Sequence, residues 1–373
     1  MCCNCMCFSI TMQETQNGDV ILQNSEKSQN SMKRNGPLET IDLAAALEAP
    51  KDAAKVISRA LENEGFLYLV NIPDFESAEL LKATKWFFNL PLNKKMTLAR
   101  KAFEPENVNT FRGYNPVIPG GHSYKEAFEI GMFGDFDYDK HKKKTYIDGR
   151  PLMRDIAMEG NVWPDHDPQY PKFKETILKY CDIYRKTGEQ VLQLIALSLG
   201  LEETALDHLF QSNILAMFRL LHYPSRVNFS RSEIPDEARD GDTLITTGAH
   251  ADSSYITLLA TFDNWGLQMQ QKGVWIDVPP IKDSLLMNIG ALMSELVGGR
   301  FKATIHRVVD LGKDRFSAPF FYSPSFDADI SKTYDGKDIE RPGQYKKYGP
   351  WMLKRTSQFK EYASTDFGVY LEK

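Results

Sequence analysis

Three residues of the sequence have the side chains and the spacing of a transition-metal site. His250 and Asp252 are separated by a single residue, and His306 lies in a later segment, 303 to 309, that is typical of a β-strand. Residues two apart in an extended chain point to the same side, so the imidazole of His250 and the carboxylate of Asp252 are predicted to converge. His306 is the natural third ligand, supplied from its own strand.

Two histidines and one carboxylate on one side of a metal leave the remaining coordination positions open. Such a facial triad is typical of non-haem Fe(II) oxygenases. A structural zinc site is instead closed by a fourth protein ligand. Four of the five cysteines, Cys2, Cys3, Cys5 and Cys7, lie at the start of the chain, away from the triad. The residues therefore favour a catalytic Fe(II) site over a structural zinc site.

A second pair of residues predicts a binding site for an acid. Arg315 and Ser317 are again two apart in a strand-like segment, so both side chains face the same way. An arginine fork binds a carboxylate with two parallel hydrogen bonds, and a buried arginine needs an anionic partner. If this strand faces the core, the sequence predicts a carboxylate ligand there.

The segments that must position these residues divide into a helical first half and a strand-rich second half. Apolar spacing predicts helices over 53 to 61, 77 to 88 and 171 to 199 and a strand over 66 to 70, whereas 100 to 150 is rich in loop-forming residues. Seven strands are predicted, over 214 to 223, 254 to 261, 266 to 270, 274 to 278, 284 to 289, 303 to 309 and 316 to 322. Short strands in this number favour a closed sandwich or jelly roll.

The residues around these candidates resemble the isopenicillin N synthase-like family of Fe(II)/2-oxoglutarate dioxygenases. The resemblance covers about residues 38 to 330. It rests on His250-Ala-Asp-Ser-Ser-Tyr-Ile-Thr-Leu-Leu, Trp275-Ile-Asp-Val-Pro-Pro, Asn288-Ile-Gly, Phe301-Lys-Ala-Thr-Ile-His-Arg-Val-Val, Arg315-Phe-Ser, Arg219-Leu-Leu-His-Tyr-Pro, Asn161-Val-Trp-Pro and Tyr124-Lys-Glu-Ala-Phe-Glu-Ile-Gly.

The resemblance implies an α+β fold with a double-stranded β-helix (jelly-roll) core, flanking helices and an N-terminal α/β extension. It implies that Fe(II) is bound by His250, Asp252 and His306, and that the distal carboxylate of 2-oxoglutarate is bound by Arg315 and Ser317, with help from Tyr223. In such enzymes O₂ and 2-oxoglutarate are cosubstrates, ascorbate supports activity, and a small-molecule substrate is hydroxylated as succinate and CO₂ are released.

The substrate-binding residues are not identified by the sequence. Phe111, Tyr114, Phe320 and Tyr322 have two interpretations, an apolar pocket wall or ordinary core, and core is the commoner place for such residues. His222 stands where many relatives have Asn before Tyr-Pro, and it either lines the site or is a structural histidine. The substrate class, from nucleobase to terpenoid acid, stays open.

Two other functions remain as alternatives. The first is an iron-dependent oxidase of the same fold that does not use 2-oxoglutarate, since some relatives hold another carboxylate with the same Arg and Ser. The second is a non-catalytic binding protein, because fold does not determine function. An intact triad beside an intact Arg315 and Ser317 disfavours the second.

The chain is predicted to be organised around one core and a tail. Residues 1 to 37, rich in Asn, Gln and Ser, are predicted to be a disordered tail that contains the cysteine cluster. Residues 38 to 200 are interpreted as an N-terminal dioxygenase region packing on the core, 201 to 330 as the jelly-roll core, and 331 to 373 as a C-terminal segment of helices and loops. The clustered cysteines belong to an unstructured tail or precede a later start codon, with palmitoylation and a thiolate metal site as alternatives.

Composition excludes some classes of protein. The 373 residues carry 45 basic and 50 acidic side chains, a net charge of −5, which disfavours a nucleic-acid partner. No apolar stretch has the length of a membrane-spanning helix. Only Cys181 lies in the body of the chain, and no secretory signal is recognised, so a cytoplasmic location is expected. The sequence does not specify the oligomeric state.

Overall fold

The computed structural model describes residues 38–121, 123–142 and 146–371. From Leu38 onward the chain forms one compact unit. The predicted tail, its cysteine cluster and any palmitoylation there lie outside the described residues. Within them, Cys181 is a free and buried thiol.

Fifteen strands form two large sheets and one small hairpin in the described residues. The strands are β1 (Thr40–Asp42), β2 (Phe66–Val70), β3 (Gly113–Asn115), β4 (Glu126–Gly131), β5 (Tyr146–Ile147), β6 (Arg150–Pro151), β7 (Met217–Tyr223), β8 (Arg239–Asp240), β9 (Thr243–His250), β10 (Ile256–Ala260), β11 (Leu267–Gln271), β12 (Val274–Asp277), β13 (Leu285–Ile289), β14 (His306–Val309) and β15 (Arg315–Tyr322). The larger sheet has the order β1-β2-β13-β10-β15-β7-β4-β3, and the smaller has the order β12-β11-β14-β9-β8.

The inner faces of the two sheets share one apolar cluster. The larger sheet contributes Tyr68, Leu221 and Tyr223, and the smaller sheet contributes Met269 and Val308, all of them buried. Because side chains alternate between the faces of a strand, this cluster identifies the inner residues of every neighbouring strand. The space between the sheets is where the predicted metal and acid sites lie.

Helices cover the outer face of the larger sheet. The helices are α1 (Leu43–Glu48), α2 (Pro50–Asn63), α3 (Ser77–Phe88), α4 (Leu92–Met96), α5 (Tyr138–Lys142), α6 (Met153–Ala157), α7 (Phe173–Ser198), α8 (Ala291–Leu296) and α9 (Tyr348–Thr356). On α7, the ring of Tyr184 packs against Phe218 of β7 and Phe320 of β15 at centroid distances of 5.0 and 5.6 Å. The apolar stripe read from the sequence over 171 to 199 is therefore core.

The structure differs from the sequence prediction most clearly at β9 and at β3 and β4. Strand β9 was not predicted, because its residues Thr-Leu-Ile-Thr-Thr-Gly-Ala-His mix polar side chains and a glycine into an extended segment. The loop prediction for 100 to 150 was wrong over β3 and β4, which form the end of the larger sheet. Strand β4 was obscured because Glu126 and Glu129 are buried there and interrupt the apolar pattern.

A buried charge network joins β4 to its neighbours on the outer face of the larger sheet. The carboxylate of Glu126 accepts hydrogen bonds from Lys95 at 2.8 Å and Tyr114 at 2.5 Å, and it lies 2.7 Å from Nδ1 of His222. Nε2 of His222 lies 3.1 Å from Asp314. Burial raises the pKa of Glu126, but the hydrogen bonds from His222, Lys95 and Tyr114 outweigh it and hold that pKa below 4.5. Of the two interpretations of His222, the structure supports the structural one.

We expect Lys95→Met to destabilise the fold without changing the affinity for 2-oxoglutarate. The substitution leaves the buried carboxylate of Glu126 without its cation, and loss of one partner of a buried ion pair costs about 3–5 kcal/mol of unfolding free energy. Urea denaturation measures this change. Lys55→Met is the control, because Lys55 and its partner Asp52 are exposed and should contribute less than about 1 kcal/mol. Equal effects of the two substitutions would contradict the assignment.

Candidate active site

His250, Asp252 and His306 converge between the two sheets. Their ligand atoms all lie within 4.8 Å of one another. Nε2 of His250 and Nε2 of His306 are each 3.8 Å from Oδ1 of Asp252. His250 ends β9, and it pairs directly with His306 at the start of β14. Asp252 follows in the connection to β10, so the convergence arises at a strand end and not within one strand.

Hydrogen bonds on the far side of each imidazole orient the two histidines. Nδ1 of His250 lies 2.8 Å from the carbonyl oxygen of Gly248, and Nδ1 of His306 lies 3.1 Å from that of Thr304. A carbonyl oxygen only accepts, so each Nδ1 carries the proton and each Nε2 presents its lone pair to the centre. Metal-binding histidines are held in this way by their other ring nitrogen.

Asp252 is held by two donors on a single oxygen. Oδ2 accepts a hydrogen bond from Thr257 at 2.6 Å and from Asn288 at 2.9 Å, which leaves Oδ1 free toward the histidines. Burial raises the pKa of Asp252, but the neighbouring histidines and these two hydrogen bonds outweigh it and keep that pKa below 3.8. The group is therefore a carboxylate at neutral pH.

The protonation states of His250 and Asp252 suit a divalent cation. Burial lowers the pKa of His250 to about 4, so its imidazole is neutral at pH 7. Metals bind the neutral imidazole and the ionised carboxylate. Among the described residues, no fourth histidine, cysteine or acid joins the group. The donor set therefore fits Fe(II) with positions left open for other ligands.

Close backbone packing fixes the segment that carries Asp252. The amide of Ala291 donates to the carbonyl of Asp252 at 2.7 Å, and the amide of Gly290 donates to that of Tyr255 at 3.0 Å. A Cβ atom on Gly290 would lie 1.9 Å from the carbonyl oxygen of Ser254. The absence of a side chain at Gly290 is therefore what permits this approach.

We expect Gly290→Ala to weaken Fe(II) binding by roughly 10–100-fold, the effect of displacing a group that supports a metal ligand. The added methyl group must push the backbone at Ser254 away and move Asp252 with it. Anaerobic equilibrium dialysis against Fe(II) measures the change. Wild-type affinity in this variant would show that the packing of Gly290 does not hold the ligand in place.

The structure also brings together Arg315, Ser317 and Tyr223 on the inner face of the larger sheet. Arg315 pairs with Tyr223 across β15 and β7, and its guanidinium lies over the tyrosine ring at 4.8 Å. The hydroxyl of Ser317 lies 3.4 Å from that of Tyr223. A small cavity borders the group and is also lined by Trp265.

Arg315 has no anionic partner in the part of the chain that the structure describes. Its Nε donates to the carbonyl of Trp265 at 3.2 Å, but its Nη1 is buried without a hydrogen-bond partner among the described residues. Burial lowers the pKa of Arg315, and no carboxylate of the described residues offsets this effect. A buried guanidinium of this kind is a binding site for an anion.

The four aromatic residues considered for a pocket wall are all core. Phe111, Tyr114, Phe320 and Tyr322 are buried in the main apolar cluster. On β15, the aromatic side chain of the inner face is instead Phe321, directly opposite Thr257 in the register of β15 and β10. Alternation from Ser317 would have identified it.

Comparison with known proteins identifies the family. The model of the 2OG-Fe(II) oxygenase superfamily matches residues 216–324, and that of the non-haem dioxygenase N-terminal region, named for morphine synthesis, matches 38–165. The 2-oxoglutarate-Fe(II) type oxidoreductase hxnY of Emericella nidulans is 31% identical over 72% of this chain and 72% of its own length. This chain belongs to the 2OG-Fe(II) oxygenase superfamily.

Two further relatives agree with this assignment. The 2-oxoglutarate-dependent dioxygenase citB of Monascus ruber is 30% identical over 84% of this chain and 91% of its own length. A full-length Neurospora crassa protein, crystallised in complex with alpha-KG and 5-formyluracil, superposes with a TM-score of 0.66 at 25% identity, covering 87% of this chain and 97% of the Neurospora chain.

The comparisons confirm the predicted family, jelly-roll fold, enzyme class and cofactors. The chain is a 2-oxoglutarate-dependent dioxygenase, an oxidoreductase that uses Fe(II) and 2-oxoglutarate. They disfavour the alternative of an oxidase that does not use 2-oxoglutarate. None of the helices among the described residues is both long and apolar enough to cross a membrane.

Proposed function

We propose that His250, Asp252 and His306 hold the Fe(II) and that Arg315, Ser317 and Tyr223 bind the distal carboxylate of 2-oxoglutarate. The observation that carries the proposal is the pairing of two incomplete sites between the same two sheets. One offers three oriented ligand atoms, with Nε2 of each histidine 3.8 Å from Oδ1 of Asp252. The other offers a buried guanidinium that no anion of the described residues neutralises.

The protein residues then position and protect the reactants. When bound, iron activates O₂ while 2-oxoglutarate is oxidised to succinate and CO₂, so that one oxygen atom enters succinate and the other enters a C–H bond of the substrate. Thr257 and Asn288 keep Oδ1 of Asp252 pointed at the metal. Arg315 neutralises the distal carboxylate and Ser317 donates to it, which fixes the orientation of 2-oxoglutarate.

We propose a small molecule as the substrate and hydroxylation as its oxidation. The Neurospora crassa protein has been solved with 5-formyluracil, a small-molecule ligand, on the same fold. The larger division of the chain stays as predicted from the sequence, with an N-terminal region over 38 to 200 and a catalytic core over 201 to 330. We also propose a cytoplasmic location, supported by the single free cysteine among the described residues.

The experiment is a screen of fractionated metabolites with the full chain, Fe(II), ascorbate and 2-oxoglutarate. Succinate formation that rises with a particular fraction is the expected result, together with an oxidised product from that fraction. Chelation of the iron should remove both. Iron-dependent O₂ uptake without succinate would contradict the proposed reaction and favour an oxidase.

A further inference from the structure

Two cations, Lys125 and Arg219, lie on the inner face of the larger sheet, beyond the residues assigned to iron and 2-oxoglutarate. They form what we call the cationic surface. On β7, Arg219 shares its face with Leu221 and Tyr223, because side chains on one face recur at every second residue. On the neighbouring β4, Glu129 is directly opposite Arg219. This surface is therefore continuous with the inner wall that carries Tyr223.

The guanidinium of Arg219 is only partly satisfied. It forms an ion pair with Glu129 at 2.5 Å, and Glu129 also accepts a 2.5 Å hydrogen bond from the hydroxyl of Tyr362. Nε of Arg219 is buried and has no hydrogen-bond partner among the described residues. Within the described residues, Nε of Arg219 is therefore a buried donor without a hydrogen-bond acceptor.

Arg219 lies next to the residues that hold the metal ligand Asp252. Its guanidinium is 5.3 Å from the ring of Phe321. Phe321 is opposite Thr257 in the strand register, and Thr257 donates to Asp252. A molecule held by Arg219 would therefore pack its apolar part on Phe321 and reach toward the metal.

Lys125 extends the cationic surface toward His250. It precedes β4 on the same face as Glu129, and its Nζ lies 3.4 Å from the hydroxyl of Thr247 on β9, three residues before His250. The described residues place no carboxylate within ion-pair distance of Lys125. Lys125 thus lies beside β9, the strand that ends in His250, with no close counterion from the described part of the chain.

A carboxylate of the chain itself lies at this surface. Arg100 donates to the backbone carbonyl of Glu361 at 2.5 Å and stacks on the ring of Tyr362 at 3.9 Å. The side chain of Glu361 is in the field of Lys125, Arg219 and Arg100. Burial raises the pKa of Glu361, but Lys125, a hydrogen bond from the backbone amide of Glu361 itself, Arg219 and Arg100 together outweigh it and lower that pKa from its ordinary value.

We propose that Lys125 and Arg219 recognise a carboxylate of the substrate, while Phe321 packs against an apolar ring or chain of the same molecule. The proposal rests on the proposed function and adds the substrate class to it. Arg219 is paired with Glu129, whereas Lys125 has no carboxylate within ion-pair distance among the described residues, so a substrate carboxylate would supply the missing anion. The carboxylate of Glu361, which lies in the field of the same cations, would repel it.

The test is anaerobic calorimetry on the full chain loaded with Fe(II) and saturated with 2-oxoglutarate. The probes are phenylacetate, 3-phenylpropionate and cyclohexanecarboxylate, each compared with its primary amide. We expect at least one acid to bind roughly tenfold tighter than its amide. Lys125→Met and the charge-balanced double variant Glu129→Gln/Arg219→Gln should each remove that preference. Glu361→Gln should strengthen acid binding severalfold by removing a like charge from the field of the same cations.

Lys174→Met is the matched control, because Lys174 is a half-exposed cation paired with Asp135 away from this surface. The double variant removes both partners of the ion pair and so leaves neither charge buried without its partner. If the double variant fails to fold, Lys125→Met provides an independent test. The proposal would be overturned if the wild type showed no preference for the acid over its amide. It would also be overturned if that preference survived in both Lys125→Met and Glu129→Gln/Arg219→Gln, or if Glu361→Gln bound the acid more weakly. Titration of the Fe(II)-loaded chain with 2-oxoglutarate alone separates this proposal from the proposed function. If 2-oxoglutarate does not bind, the proposed function is contradicted, and not only the substrate class.

Discussion

Replacing Asp252 with alanine is expected to abolish Fe(II) binding and 2-oxoglutarate turnover while the fold persists. Asp252 is the only carboxylate in the triad of the described residues, so its loss leaves only two imidazoles for a divalent cation. The effect should exceed the roughly 10–100-fold loss that follows removal of an outer hydrogen-bond partner of a metal ligand. Bound iron measured by metal analysis and succinate formation measure the two losses.

Two further variants make the Asp252 result specific. Thr257→Val removes one donor to Asp252 and should show the smaller, outer-partner effect. Asp277→Ala removes an exposed carboxylate of β12 that contacts Gln268 and should leave iron content and turnover unchanged. Turnover that survives Asp252→Ala would contradict the metal assignment.

Arg315→Met is expected to raise the concentration of 2-oxoglutarate required for half-maximal turnover by about 30–150-fold. Loss of one partner from a buried charged hydrogen-bond pair costs about 2–5 kcal/mol, and the lower third of that range, about 2–3 kcal/mol, corresponds to this factor. Iron affinity without 2-oxoglutarate should change little, because Arg315 makes no contact with the triad in the described structure. Initial rates of succinate formation against 2-oxoglutarate concentration measure the shift.

Arg185→Met serves as the comparison for Arg315→Met. Arg185 lies on α7, where it pairs with Asp182 and Glu189 at the surface. It should leave the concentration dependence on 2-oxoglutarate unaltered. An unchanged dependence in Arg315→Met would place the distal carboxylate elsewhere.

The site was predictable wherever a short spacing within a strand determines the geometry. The i, i+2 spacing was sufficient to place Arg315 and Ser317 on one face of their strand. The strand-like segment around His306 was sufficient to predict it as the third ligand beside His250 and Asp252. The flanking motifs identified the family. Thr257, Asn288 and Gly290 were within motifs noted in the sequence, but their support of Asp252 depends on how β10 and β13 pair. Pairing of that kind has no local sequence signal.

The fold was predictable where apolar periodicity is strong. The helix over 77 to 88 and the strand over 66 to 70 have the predicted bounds. Strands β4 and β9 were missed because they carry buried polar residues such as Glu126 and Thr246, whose partners come from distant parts of the chain. Of the polar residues that obscured β4, Glu126 belongs to the charge network on the outer face of the larger sheet, and Glu129 pairs with Arg219 on the inner face.

The most direct test of the central claim is a crystal structure of the full chain with Fe(II) and 2-oxoglutarate, grown without O₂ and measured at the iron absorption edge. We predict one anomalous peak per chain, bound by Nε2 of His250, Oδ1 of Asp252 and Nε2 of His306, with the distal carboxylate of 2-oxoglutarate on Arg315 and Ser317. Iron bound by other residues, or 2-oxoglutarate with its distal carboxylate away from Arg315, would contradict the account.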